Sequence, residues 1–188
     1  MSQNIFILNG PNLNLLGRRE PHIYGSTTLT QIQQRCESLA KELDQRCRFH
    51  QSNHEGQLVD WIQEAFEQQA AVIINPAGLS YHSVPIYDAL KLIDAPVIEV
   101  HISNIHARGG VYTKSIISQV ATGVICGLGA EGYLLALRSL AATGSNVPKN
   151  VHETYTTSFI IRVGFTPLSS KHSSQSSTGA SSLCPSPF

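Results

Sequence analysis

Val97-Ile98-Glu99-Val100-His101-Ile102-Ser103 is an apolar run of strand formers that carries a carboxylate and an imidazole two residues apart. Side chains on a strand alternate between faces, so Glu99 and His101 point the same way. The run is bounded by Ala95-Pro96 and by Ser103-Asn104, and its Val/Ile content predicts a strand buried on both faces. Two ionisable groups in such a strand have two readings. In one, His101 is a core histidine whose ring N–H is satisfied by Glu99. In the other, Glu99 fixes the tautomer of His101 and supports its imidazolium, leaving the second ring nitrogen as a general acid or base at the strand end.

Outward from this strand the chain repeats one pattern. Short apolar runs at Ile5–Leu8, Cys47–Gln51, Ala71–Ile74 and Gly123–Cys126 read as four further strands. Between them lie amphipathic stretches with helical spacing. The first has Leu29, Ile32, Cys36, Leu39 and Leu43 behind a Thr27 or Thr28 cap, and the second has Leu58, Trp61, Ile62, Ala65 and Phe66 behind Ser52 or Asn53. A third carries Pro85 in its first turn with Ile86, Ala89, Leu90 and Ile93, and the last runs through Tyr133, Leu134, Leu137 and Leu140. Five apolar strands alternating with four helices predict an α/β fold, a flavodoxin-like doubly wound five-stranded parallel sheet with helices on both faces. Ligands in such sheets bind outside the carboxyl ends of the strands. Those ends carry Asn12, Asn75, His101 and Ser103. Two irregular segments, Gly10 to Ser26 and Asn104 to Gln119, are long enough to be functional loops.

Lys plus Arg balance Asp plus Glu at 13 each, which removes the electrostatic case for a nucleic-acid or anionic-membrane partner. No apolar run approaches the roughly 20 residues of a membrane span. The N-terminal residues lack the pattern of a signal segment, so a cytoplasmic protein is expected. Cys36, Cys47, Cys126 and Cys184 have no C-x-x-C spacing and are expected to be reduced thiols. The eight histidines form no H-x-x-x-H or H-E-x-x-H pair, so no metal site is expected.

Gly127-Leu128-Gly129-Ala130-Glu131-Gly132 matches the dinucleotide pattern G-x-G-x-x-G after a strand. It sits in the last βα unit, and Glu131 would set a negative charge against a pyrophosphate; close helix-to-strand packing explains the glycines without a cofactor. The loop Arg18-Arg19-Glu20-Pro21 with Tyr24 is either solvated surface or a guanidinium–phenol pair. In the second case the cation lowers the phenol from its usual pKa of ~10 toward a range in which tyrosine acts as a base.

Taken together, Asn9-Gly10-Pro11-Asn12-Leu13-Asn14, Gly17-Arg18-Arg19-Glu20-Pro21-His22-Ile23-Tyr24-Gly25, Asn75-Pro76, Glu99 through Arg108 and Ala121-Thr122-Gly123-Val124-Ile125 resemble type II 3-dehydroquinate dehydratases, in unbroken order from about residue 4 to about residue 143. The resemblance implies dehydration of 3-dehydroquinate to 3-dehydroshikimate, by anti elimination through an enolate and without metal or cofactor. It implies that Tyr24 removes the C2 proton, aided by Arg19, and that Arg108 orders the closed lid. His101, held by Glu99, would protonate the departing C1 hydroxyl, and Asn12 would stabilise the enolate through a bound water. Asn75 and the backbone around Ile102 and Ser103 would hold the substrate carboxylate. Asp88 matches an aspartate that reaches a neighbouring subunit's site in homododecamers built from trimers.

Two stretches depart from the family pattern. Ser80-Tyr81-His82-Ser83 stands where Thr-His-Thr-Ser is usual, and Gly109-Gly110-Val111-Tyr112 follows Arg108 where acidic residues, an aromatic and an arginine are usual. Tyr81, His82 and Tyr112 therefore occupy substrate-recognition positions, which keeps open a non-catalytic member that binds a quinate-like ligand. The family-like catalytic domain is expected over residues 1–145. Residues 146–188 form a C-terminal extension with a Ser-rich stretch from Ser169 to Ser182, expected to be mostly disordered apart from a short candidate strand at 158–163.

Overall fold

The computed structural model describes residues 4–18, 26–108 and 110–143, all within the compact unit Met1–Val151. Five strands form one parallel sheet: β1 (Asn4–Asn9), β2 (Arg46–Gln51), β3 (Ala71–Asn75), β4 (Val97–His101) and β5 (Gly123–Cys126). Their spatial order is β2-β1-β3-β4-β5. That order is the flavodoxin-like one, in which the chain reverses direction across the sheet between β1 and β3. The inner strands β3 and β4 are buried along their whole length, as their continuous apolar runs require, while the edge strands β2 and β5 are half-exposed.

Helices α1 (Leu29–Glu42), α2 (Glu55–Glu67), α3 (Val84–Lys91), α4 (Ile105–Arg108) and α5 (Glu131–Thr143) complete the unit. Residues Ile5, Ile7, Ile73, Ile98 and Val100 pack on α1 and α5 through Ile32, Cys36, Tyr133 and Leu137. The alternate residues Phe6, Leu8, Val72, Ile74 and Val97 pack on α2 and α3 through Leu58, Ile62, Ile86 and Leu90. The period of two in each strand thus divides the core into two layers.

Local chemistry starts and stops these elements. Thr28 closes a capping box on α1, its side chain taking the Gln31 N–H while the Gln31 side chain takes the Thr28 N–H. Ser83 caps α3 by accepting from Ile86 N at 3.1 Å, with Pro85 in the first turn. Helix α2 differs from expectation: its N-cap is His54, with no side-chain cap bond, and the Ser52 hydroxyl is taken up earlier, accepting from His54 N at 2.9 Å. Phe66 is exposed, because at about 100° per residue it falls on the flank of the stripe formed by Leu58, Ile62 and Ala65. Strand β4 ends at His101, and Ile102 and Ser103 form a bend. The segment expected to be irregular after it contains α4 and two 3-10 turns, Gly110–Thr113 and Ile117–Gln119. The expected boundary at 145/146, the candidate strand at 158–163 and the Ser-rich stretch lie outside the described residues.

Candidate active site

The Glu99 side chain has no exposed surface, and His101 is 5% exposed. His101 Nε2 lies 2.7 Å from Glu99 Oε1. The carboxylate accepts two further hydrogen bonds, from Ser115 Oγ to Oε1 at 2.5 Å and from Ser118 Oγ to Oε2. Burial alone would push the Glu99 carboxyl up. The His101 bond and charge, with the two hydroxyls, outweigh it and hold the carboxyl below the usual carboxylate range. An ionised Glu99 accepts a hydrogen bond from Nε2–H of His101, which leaves Nδ1 as the ring nitrogen able to exchange a proton.

A second buried network spans the reversal point between β1 and β3. Asn75 Nδ2 donates to the Tyr133 hydroxyl at 2.8 Å, and that hydroxyl donates to Asn9 Oδ1 at 2.7 Å. Asn75 Oδ1 accepts from Ala77 N at 3.2 Å. One amide hydrogen of Asn75 and its oxygen are therefore committed within the protein, which fixes the direction of the second hydrogen. Tyr133, fully buried, has its phenol pushed far up by loss of solvent, so it acts as a neutral relay between the two amides. Parity along the strands sets Asn9 and Asn75 on the α5 face, and Glu99 and His101 on the opposite, α3 face. The two sets share the carboxyl edge of the sheet without sharing a face.

Asn12 sits one turn beyond β1 with φ 67°, a left-handed conformation that asparagine tolerates. Its N–H donates to Asn53 Oδ1 at 2.9 Å, and Asn53 Oδ1 also accepts from Gln51 Nε2 at 3.1 Å. Asn53, read from sequence as a helix cap, thus holds the Asn12 turn instead.

The glycine-rich turn after β5 serves the same edge. Gly127 N donates to His101 O at 3.1 Å and Gly129 N to Ile102 O at 3.0 Å, so both N–H groups fix the bend at Ile102–Ser103. A Cβ on Gly132 would stand 3.2 Å from Val100 Cγ1, which is close helix-on-strand packing. Glu131 pairs with Arg35 of α1. Packing and the bend account for this motif without a dinucleotide.

Tyr81 is half-buried and His82 exposed, both at the end of the 3-10 turn Ala77–Tyr81. Asp88 is exposed on α3, 3.6 Å from Lys91. Arg19 and Tyr24 lie outside the described residues, as do the side chains of Arg108 and Tyr112. The residues that sequence reasoning missed are Asn9, Tyr133, Ser115 and Ser118. Of these, Tyr133 carried a signal, a polar tip on the buried stripe of a helix.

Fold and site together define a doubly wound parallel α/β protein with a carboxylate-supported histidine at the carboxyl edge of its sheet, a layout suited to moving protons. Within that class the chain belongs to the type II dehydroquinases: the family described as Dehydroquinase class II matches residues 3–141. The 3-dehydroquinate dehydratase of Brucella abortus strain S19 is 56% identical over 150 residues, covering 80% of this chain and 96% of that protein. That of Brucella canis is 55% identical over the same length. Among solved structures, the type II dehydroquinase of Propionibacterium acnes superposes with a TM-score of 0.73 at 46% identity, covering 76% of this chain and 98% of that one. That of Butyrivibrio crossotus gives 0.72 at 37% identity, covering 74% and 97%.

Proposed function

We propose that the chain is a 3-dehydroquinate dehydratase, removing water from 3-dehydroquinate to give 3-dehydroshikimate by anti elimination through an enolate. The observation that carries this reading is the buried Glu99–His101 contact at a strand end, in a chain of the type II dehydroquinase family. A C–H beside a ketone becomes acidic only where base, enolate donor and acid act together. Tyr24 as phenolate takes the C2 proton, and the electron pair moves onto the ketone oxygen as an enolate. Its collapse expels the C1 hydroxyl, which leaves as water with a proton from His101. One proton is taken and one given, so the enzyme is reset when Tyr24 returns its proton to solvent and His101 regains one.

Arg19 favours the phenolate of Tyr24, and Arg108 orders the closing segment that excludes water while the enolate lives. Asn12 stabilises the enolate through a bound water. Asn75, with its second amide hydrogen, and the backbone at Ile102 and Ser103 hold the substrate carboxylate. Tyr81, His82 and Tyr112 contact the ring hydroxyls, and Asp88 reaches the site of a neighbouring subunit in a homododecamer of trimers. The reaction runs in the cytoplasm on a free small molecule, without cofactor. Among the described residues no helix is long and apolar enough to cross a membrane.

Mixing the purified chain with 3-dehydroquinate tests the reading. The expected result is a rise in ultraviolet absorbance from the conjugated enone of the product. No rise at high enzyme concentration overturns it.

A further inference from the structure

We propose that Ser115 and Ser118 are positioning residues that hold the Glu99 carboxylate in place for His101, tying the acid to the recognition segment that follows Arg108. Their hydroxyls reach both oxygens of Glu99, Ser115 to Oε1 at 2.5 Å and Ser118 to Oε2, while His101 Nε2 meets Oε1 at 2.7 Å. A serine hydroxyl has one proton to donate. Ser115 has a second acceptor, Ser80 O, at 3.4 Å, and the shorter contact to an ionised oxygen takes the proton.

The segment that brings these hydroxyls is itself anchored. Ile117, between them, is fully buried in the layer formed with α2 and α3, and Ile116 N donates to Ser80 O at 2.9 Å. Ser80 directly precedes Tyr81. A shift in the stretch from Gly110 to Gln119 therefore alters the donors on Glu99, and through Glu99 the orientation of His101.

Within the sheet, the neighbours of Glu99 are apolar. Ile74 of β3 and Val124 of β5 stand beside it in register, and Ser80 presents a backbone carbonyl. Among the described residues the charged group acting on it is His101. Without the hydroxyls, an anion with no solvent contact loses two of its three donors. Its proton then returns at higher pH, and it becomes a stronger competitor for the proton of His101.

The inference rests on the dehydratase reading, and the test separates the two. In Ser115→Ala/Ser118→Ala the expected result is a kcat lower by about tenfold with KM within about twofold, and a low-pH limb of kcat moved to higher pH. Ser118→Thr, which keeps a hydroxyl, restores the limb toward wild type. In a Glu99→Gln background the same pair of alanines changes kcat by less than about twofold, because the serines act through the carboxylate. Titration of the Glu99 carboxyl carbon by nuclear magnetic resonance, which needs no turnover, moves upward in the alanine pair, because the two hydroxyls that lower it are gone. An unmoved titration, or an equal loss in the Glu99→Gln background, overturns the inference. A wild-type chain that fails to convert 3-dehydroquinate overturns the reading beneath it, while the titration still decides the role of the serines.

Discussion

Glu99 is a carboxylate with no solvent contact, and such a group is tolerated only when every lone pair that matters finds a donor. Three donors on two oxygens meet that requirement, and they hold the carboxyl below its ordinary value of 4.5. A carboxyl depressed in the folded state adds stability that is present above its unfolded pKa and lost as pH falls through its folded one. Unfolding by urea measured across acidic pH therefore shows wild-type stability falling below about pH 4.5, with a shallower fall in Glu99→Gln. An equal slope in the two proteins contradicts this account of the pair. The Glu99–His101 pairing was legible from sequence because a strand's period of two puts residues 99 and 101 on one face. The Asn9–Tyr133–Asn75 network was not, because it joins residues 124 and 58 positions apart, and nothing local in any of the three segments states that they meet.

At the level of elements, the apolar periodicity gave all five strands and the four long helices, since each must bury a stripe or a face. Caps were less legible: Ser52 and Asn53 are good cap residues, yet the structure uses one against His54 N and the other to hold the Asn12 turn. Strand order was not legible either, because several orders satisfy the same alternation of strand and helix. The close approach of the first and third strand ends shows where the order is enforced. A Cβ on Gly10 would stand 2.4 Å from Pro76 O, and Gly10 N donates to Asn75 O at 2.8 Å. Gly10→Ala is expected to destabilise the fold by about 1–3 kcal/mol, as overpacking against rigid backbone does. Gly56→Ala, with nothing within 4 Å on α2, is the control and is expected to gain up to about 1 kcal/mol. Equilibrium denaturation of the two variants checks both signs, and a neutral Gly10→Ala refutes the close contact.

For the molecule as a whole, β5 is the last strand among the described residues, and α5, which covers the sheet, ends at Thr143. The family match ends at residue 141. Among the described residues, the groups that hold Glu99, His101, Asn12 and Asn75 precede that point, so a chain ended after residue 145 is expected to unfold at the same urea midpoint as the full chain. It is also expected to keep its rate with 3-dehydroquinate within about twofold. A collapse of either quantity would show that the extension takes part in the catalytic unit. In the proposed mechanism the labour divides along the sheet edge: rigid strands supply the acid and the amides, and Tyr24 would supply the base. The rigid half carries the central claim, that a carboxylate-held histidine gives up the proton on which the departing hydroxyl leaves. The direct measurement is kcat of His101→Ala with 3-dehydroquinate beside wild type, with folding verified by its urea midpoint. The account predicts a loss of about 10²–10⁴-fold at little changed KM. A folded His101→Ala protein that turns over at the wild-type rate would contradict it.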